Sequence, residues 1–565
     1  MTPYSCSRRA LLRGAALGGL AMGLPAWAKT ISHGLAAKGS GTLSGTDIRL
    51  TVATSRFGVD GRSGHAVTVN GTLPAPLIRL REGDTVRLTV DNRLGEDTSI
   101  HWHGLLVPFE MDGVPGVSFP GIKARSTFTY EFPLRQSGTY WYHSHSGLQE
   151  QVGLYGPLII DPAGADPIAS DREHVIVLSD WTFLHPHHLF TRLKQEGGVF
   201  NRQKRTLANR FDGKADPMTA ADRAMFARMR MDPTDIADVT AAAFTFLVNG
   251  HSPAENWTGL FRAGERVRLR IVNAAAQTIF NLRIPGLRLE VVATDGVPVR
   301  PVAVDELQIG NAETYDVIVT PEDRAYSLVA ETIDRSGMAV ATLAPRPGLR
   351  AAVPPLRERP TLGMRDMGMD HGAMPGMDHG DMDMRDESKV AFPVGVGVDM
   401  IAPMPADRIG DPGIGLDDVG HKVLTYRDLV ALAPRADRRT PTRRVDIHLT
   451  GNMERFMWSM DGAKLSENPE PYRFARGERV RLRLINDTMM THPMHLHGHF
   501  FELVNGHGDL QPLKHTVRVL PGGFVDLDLT ADAPGDWAFH CHLLYHMHAG
   551  MMRVVTVRPL EGETA

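Results

Sequence analysis

Cysteine is nearly absent from this chain of 565 residues: there are two, Cys6 and Cys541. Two cysteines, one of them in a stretch that reads as a cleavable leader, exclude a disulfide framework. The chain is also long enough to build sizeable cores without one. An excess of positive charge is missing as well. The net charge of −4 gives no reason to expect binding to nucleic acid. No long, strongly apolar run is present either: the only membrane candidate is the weakly apolar Gly/Ala stretch before Pro25, which does not make a permanent span. What is abundant is glycine, 56 residues, and proline, 38, a composition suited to many short strands and turns. The length sets an expectation of three or four domains.

Residues 1–28 are read as a targeting segment outside the fold. Ser7-Arg8-Arg9-Ala10-Leu11-Leu12-Arg13 precedes a Gly/Ala/Leu-rich stretch ending Ala26-Trp27-Ala28, the pattern of a twin-arginine export signal with an A-x-A cleavage site. The expected location is the periplasm, with no membrane span after signal removal. Cleavage removes three arginines and no acid, so the charge becomes about −7. It also removes Cys6. A lone Cys541 in an exported protein is best explained as a metal ligand.

Residues 540–551 carry the most specific signal. The run His-Cys-His-Leu-Leu-Tyr-His-Met-His-Ala-Gly-Met offers a soft thiolate (Cys541), an imidazole (His546) and a weak thioether (Met551), the ligand types of a blue-copper site. On an extended strand the flanking His540 and His542 point to the face opposite Cys541, so one tripeptide can bind metal on both sides. Three further clusters repeat His-x-His: His101 and His103, His143 and His145, His495 and His497, the last preceded by His492. That spacing puts two imidazoles on one side of a strand, where each can serve a different metal. One such pair means little, and four together exclude chance.

The chain repeats itself. The segment from Glu82 to Asn92 recurs from Ala263 to Asn273 and from Arg476 to Asn486, each a turn followed by strict apolar alternation (Val86/Leu88/Val90, Val267/Leu269/Ile271, Val480/Leu482/Leu484). This is the pattern of a half-buried strand, and three copies predict three β domains of one kind. Nine and eleven residues past the closing Asn lie His101 and His103 in the first copy and His495 and His497 in the third, but Leu282 and Ile284 in the second. Likewise Gly138 to His145 aligns with Gly535 to His542, with Ser144 opposite Cys541. A metal cluster between the first and third domains follows, with the middle domain reduced to spacing and packing.

These segments, with HWHGLLVPFEMDGVPGVSF, RQSGTYWYHSHSGLQEQVGLYGPLIIDP and HPMHLHGHFFEL around them, resemble the four copper-binding motifs of the multicopper oxidases, and most closely the bacterial copper-resistance oxidases of the CopA/PcoA type. The resemblance implies an all-β fold of three consecutive cupredoxin-like Greek-key sandwich or barrel domains, and four copper ions. It implies type 1 copper on His492, Cys541, His546 and Met551, and type 2 copper on His101 and His495. The type 3 pair falls on His103, His143, His145, His497, His540 and His542. Electrons from the substrate would enter at Cys541 and cross through His540 and His542 to a cluster that reduces dioxygen to water. Asp112 matches an acidic residue that family members use to deliver protons; the alternative reading is an Asp-Gly turn at Asp112-Gly113. Some relatives carry a Glu directly after the second type 1 histidine, where this chain has Met547.

Domain boundaries are expected near 40–165, 166–350 and 390–560, with a linker at 351–389. A helical insertion is expected at 190–240, where Met218, Met225, Met229 and Met231 are read as core. The linker holds a Met-rich stretch, 364–384, with seven methionines, two histidines and five aspartates in 21 residues and no helical or strand period. It reads as a flexible loop whose thioethers select Cu(I): Met364, Met367, Met369, His371, Met374, Met377, His379, Met382 and Met384 are candidate substrate-copper ligands. Three functions remain open: a cuprous oxidase in copper resistance, expected to work beside partner proteins of that system; a laccase-like phenol oxidase, expected if an open aromatic cleft adjoins His492 and His546; and a copper-sequestering protein.

Overall fold

The three repeated segments form three equivalent strands, Thr85–Asn92, Val267–Asn273 and Glu478–Asn486. Each pairs in parallel with an earlier long strand (Asp47–Val59, Arg172–Trp181, Arg443–Asn452) and antiparallel with a later one (Thr127–Pro133, Thr314–Val319, Gly523–Ala531). The computed structural model describes residues 35–39, 41–203, 219–229, 231–369 and 383–560. The expected export signal therefore lies outside the described residues.

Each repeated strand sits in a larger sheet that faces a five-stranded one, giving three sandwiches in chain order. Alternation does what the sequence pattern requires: Val86, Leu88 and Val90 are buried and the residues between them point outward. The all-β expectation of three cupredoxin-like units is borne out. Short helices interrupt it: α1 (Pro186–Gln195) and α2 (Ala220–Arg228) in the second unit, and α3 (Leu544–Ala549) in the third. Met225, Met229 and Met231 are buried in the core, whereas Met218 lies outside the described residues.

The closing asparagine of each repeat explains the fixed spacing to the histidines. Asn92, Asn273 and Asn486 are fully buried, and each accepts at Oδ1 from the backbone N–H two residues on (Leu94, Ala275, Thr488). Each also donates its amide to two or more carbonyls, among them Ile122, Ile309 and Val519. This Asx turn fixes where the next strand starts. That strand is His101–His103 in the first unit, Phe280–Arg283 in the second and His492–Leu496 in the third. In the second, Leu282 and Ile284 fill the core where the others hold imidazoles.

One expectation needs correction. The Met-rich stretch is not a free loop throughout: Met364–Met367 forms a 3-10 turn, Met367 and Met369 are fully buried in the shared core, and Met364 and Met384 pack against it. A thioether fills irregular core space, so these residues bury where a polar linker could not. His371, Met374, Met377, His379 and Met382 lie outside the described residues. The second unit packs directly against the third. Ala276 O accepts from the N–H of Leu544 (2.8 Å) and Gln277 Oε1 from that of Tyr545 (3.1 Å), so the turn after Asn273 cradles α3.

Candidate metal centres

Strand pairing brings the four His-x-His clusters together. His101 lies opposite His143, and His495 opposite His540, on antiparallel neighbours. The ligand-capable atoms then converge in sets: His103, His143 and His542; His145, His497 and His540; His101, His103 and His495; and, apart from these, His492, Cys541 and His546. Every side chain in the last set is fully buried. Cys541 thus faces one group while its neighbours His540 and His542 face the others, as extended backbone requires.

Outer hydrogen bonds fix which nitrogen of each ring points inward. His101 Nδ1–H donates to Asp112 O (2.7 Å), His495 Nδ1–H to His515 O (2.7 Å) and His540 Nδ1–H to Cys541 O (2.9 Å). His497 Nδ1–H donates to Asp112 Oδ2 (2.8 Å) and His143 Nδ1–H to Glu150 Oε2 (2.6 Å). The inward nitrogens are bare: His101 Nε2, His103 Nδ1, His145 Nε2 and His495 Nε2 are buried with no hydrogen-bond partner. His497 Nε2 faces His540 Nε2 at 3.0 Å, and His143 Nε2 faces His542 Nε2 at 3.3 Å. Buried polar atoms are almost always paired, so a set of bare, convergent nitrogens fits cations rather than a packed core.

Electrostatics agree. Burial, reinforced by the neighbouring rings, pushes the pKa of His103, His143, His145, His495, His497 and His542 well below the ordinary histidine value, and that of His540 down to about 4. These rings are neutral at pH 7, the form that ligates metal. Burial raises the Cys541 thiol, so metal binding there must displace its proton.

In the cysteine set, Cys541 Sγ lies 3.5 Å from His492 Nδ1 and 3.9 Å from His546 Nδ1, and those two nitrogens are 3.3 Å apart. The hydroxyl of Thr488 donates to Asn486 Oδ1 (2.8 Å), so it accepts from His492 Nε2–H (2.7 Å). Nδ1 of His492 is thereby left bare toward the thiol. His546 Nε2–H donates to Asp238 Oδ2 (2.7 Å), and Trp458 stacks on the His546 ring at 3.8 Å. Two imidazoles and a thiol in a triangle are the donor types that a His2Cys copper site uses, and the fully buried Met551 adjoins them through the Cys541 N–H to Met551 O bond (3.1 Å).

Sequence reasoning singled out Asp112, and it lies at the cluster, fully buried and bonded to both His101 and His497. The glycine beside it is required by the backbone. Gly113 has φ +86, and a Cβ there would lie 1.9 Å from Ile100 O, so only glycine fits. Glu150 and Asp238 were missed. Burial holds the carboxyl of Glu150 well above its usual range and pushes that of Asp238 up to about 7. No spacing rule points to either; Asp238 comes from another domain, and the one available hint to Glu150 is its place in a polar Gln-Glu-Gln run.

Comparison with known proteins agrees with this geometry. Multicopper oxidase family models match residues 51–165, 172–347 and 438–561. The chain is 47% identical to the copper resistance protein A homolog of Pseudomonas syringae pv. tomato, over 98% of this chain and 100% of that one. It is also 47% identical to copper resistance protein A of Escherichia coli, over 98% and 99%. Among solved structures, Fet3p, a multicopper oxidase that functions in iron import, superposes with TM-score 0.63 at 21% identity, over 92% of this chain and 90% of that one. A laccase-like CueO from an Ochrobactrum species gives 0.59 at 20% identity, over 93% and 99%. The chain belongs to the multicopper oxidases. It is an oxidoreductase with copper cofactors, and it resembles the copper resistance proteins A along nearly its whole length.

Proposed function

We propose that this protein is a periplasmic cuprous oxidase of copper resistance, holding four copper ions and coupling oxidation of Cu(I) to reduction of dioxygen to water. His492, Cys541 and His546 with Met551 hold the type 1 ion. His101 and His495 hold type 2, and the two three-histidine sets hold the type 3 pair. Bound copper supplies one-electron acceptance at the thiolate and multi-electron delivery to dioxygen at the cluster. The protein's own part is to orient and to insulate: Asp112 and Glu150 fix the ring tautomers, Asp112 holds a carboxyl within proton-transfer reach of the cluster, and the strand through His540, Cys541 and His542 joins the two regions covalently. Export by the twin-arginine route, in folded form, fits a cofactor-bearing chain.

The observation that carries the choice of Cu(I) is where the Met-rich stretch is anchored. Met404 N–H donates to Gly368 O (3.0 Å) and Ile401 N–H to Met384 O (2.7 Å), so both described ends return to one short segment. Within that segment, Ala402 N–H donates to Asp487 Oδ1 (2.8 Å). Asp487 adjoins Thr488, which holds His492. The described ends of the stretch are thus anchored to a segment that bonds to Asp487, the neighbour of the residue that holds His492. A phenol oxidase needs an open aromatic cleft there, but His492 and His546 are fully buried, and their outer nitrogens are taken by Thr488 and Asp238. Oxygen uptake by the copper-loaded protein with Cu(I), compared with a phenol, tests the reading. It predicts a kcat/KM for Cu(I) well above that for the phenol, and the reverse order would refute it.

A further inference from the structure

Three histidines outside these centres lie close together on the surface where the second and third units meet. His185 precedes α1, His187 is in its first turn, and His548 is in α3, two residues beyond His546. All three are exposed. The rings of His185 and His187 are 5.5 Å apart, centre to centre, and those of His187 and His548 are 6.3 Å apart. An imidazole nitrogen sits about 2.0–2.1 Å from a bound ion and about 1.1 Å from its ring centre, so two rings on one ion have centres within about 6.4 Å of each other. Both pairs meet that limit.

The platform beneath them is built rather than loose. Phe190 of α1 packs on His548 at 4.7 Å and stacks over Tyr545 at 6.2 Å. Lys194 Nζ donates to Phe456 O (2.9 Å), which ties α1 to the third unit. A Cβ on Gly197 would lie 2.0 Å from Met453 O, so the backbone after α1 touches the third unit directly. The rings thus come from two domains held in fixed relation. His185 and His187 also line a cavity of about 600 Å³ that reaches His145 of the cluster.

We propose that His185, His187 and His548 form a surface site for one further copper ion, beyond the four resident ones, at which substrate copper docks next to the helix that carries His546. Imidazole is the ligand class that accepts copper in either oxidation state, whereas the thioethers of the Met-rich stretch favour Cu(I) alone. The assignment as a substrate site rests on the cuprous-oxidase reading; the existence of the site does not.

The test is equilibrium dialysis of the four-copper protein against Cu(II), with metal analysis, on the wild type and on the double variant His187→Ala/His548→Ala. The wild type should bind one equivalent more than the variant, and both should show the same blue absorbance, which reports an intact type 1 centre and fold. Equal binding overturns the site, and so does failure of the double variant His187→Gln/His548→Gln to reproduce the loss. Steady-state kinetics then assign its use. KM for Cu(I) should rise about tenfold in the variant while turnover of a phenol is unchanged. An unchanged KM with the extra equivalent lost would overturn the substrate role. Absence of Cu(I)-driven oxygen uptake in the wild type would instead refute the cuprous-oxidase reading, with the dialysis result still deciding the site.

Discussion

His546 and Asp238, 308 residues apart in sequence and from different domains, meet through one 2.7 Å hydrogen bond from imidazole Nε2–H to carboxylate Oδ2. The contact frees Nδ1 to face Cys541, and Gln277, which donates to the same oxygen at 2.7 Å, holds the carboxyl in place. Replacing Asp238 by Ala should cost about 10–100-fold in type 1 copper affinity or in turnover, the usual price of losing such an outer partner. Asp238→Asn keeps an acceptor oxygen and should restore most of the affinity. Copper titration followed by the blue band separates this positioning role from general destabilisation, which the Asn variant would not rescue.

The two metal regions should fail independently. Cys541→Ser should abolish the blue colour while the histidine cluster still takes up copper, because a hydroxyl cannot replace the thiolate. His143→Ala should keep the colour yet stop reoxidation of the reduced protein by air, measured by stopped flow. A blue Ser variant, or reoxidation of the Ala variant at the parental rate, would show that the sets are wrongly divided.

Acid should destabilise the copper-free protein steeply. Folding depresses the pKa of His103, His143, His145, His492, His495, His497, His542 and His546 well below the unfolded value of about 6.5, and brings His540 and His515 to about 4. A depressed histidine contributes stability that is present above pH 6.5 and lost as pH falls toward its folded value. Each contributes up to about 1.4 kcal/mol per pH unit in that window. Asp238, raised to about 7, has the opposite sign: its contribution is present below about pH 4 and lost as pH rises toward 7. The histidines outnumber such carboxyls, so Tm of the copper-free protein should fall between pH 7 and 5. Copper loading should flatten the decline, since a bound ion excludes the proton.

The fold was legible because the three strand repeats and their alternation are local patterns. The convergence of histidines was legible because strands place alternate residues on one face. The closing asparagines were visible too, as the last residue of each repeat, although their role in fixing the distance to His101 and His495 required the hydrogen bonds of Asn92 and Asn486. What could not be read were partners supplied across domains: Asp238 on His546, Gln277 under Tyr545, and the lodging of Met367 and Met369 in the core. No periodicity encodes such contacts, because they depend on how separate sandwiches pack. The ends of the Met-rich stretch were hidden for the same reason: its composition shows no period and reads as a flexible loop, but Met367 and Met369 enter the core.

Deleting residues 370–382 tests the central claim most directly, since it spares the packed Met364, Met367, Met369 and Met384 and touches none of the four copper motifs. The measurement is steady-state oxygen uptake by the copper-loaded deletion variant and the parent, with Cu(I) and with a bulky phenol. If the thioethers gather cuprous ions for the type 1 centre, KM for Cu(I) should rise about tenfold or more, with kcat changed little and phenol turnover unaffected or improved. Equal effects on the two substrates would reduce the stretch to a linker and contradict Cu(I) as the substrate.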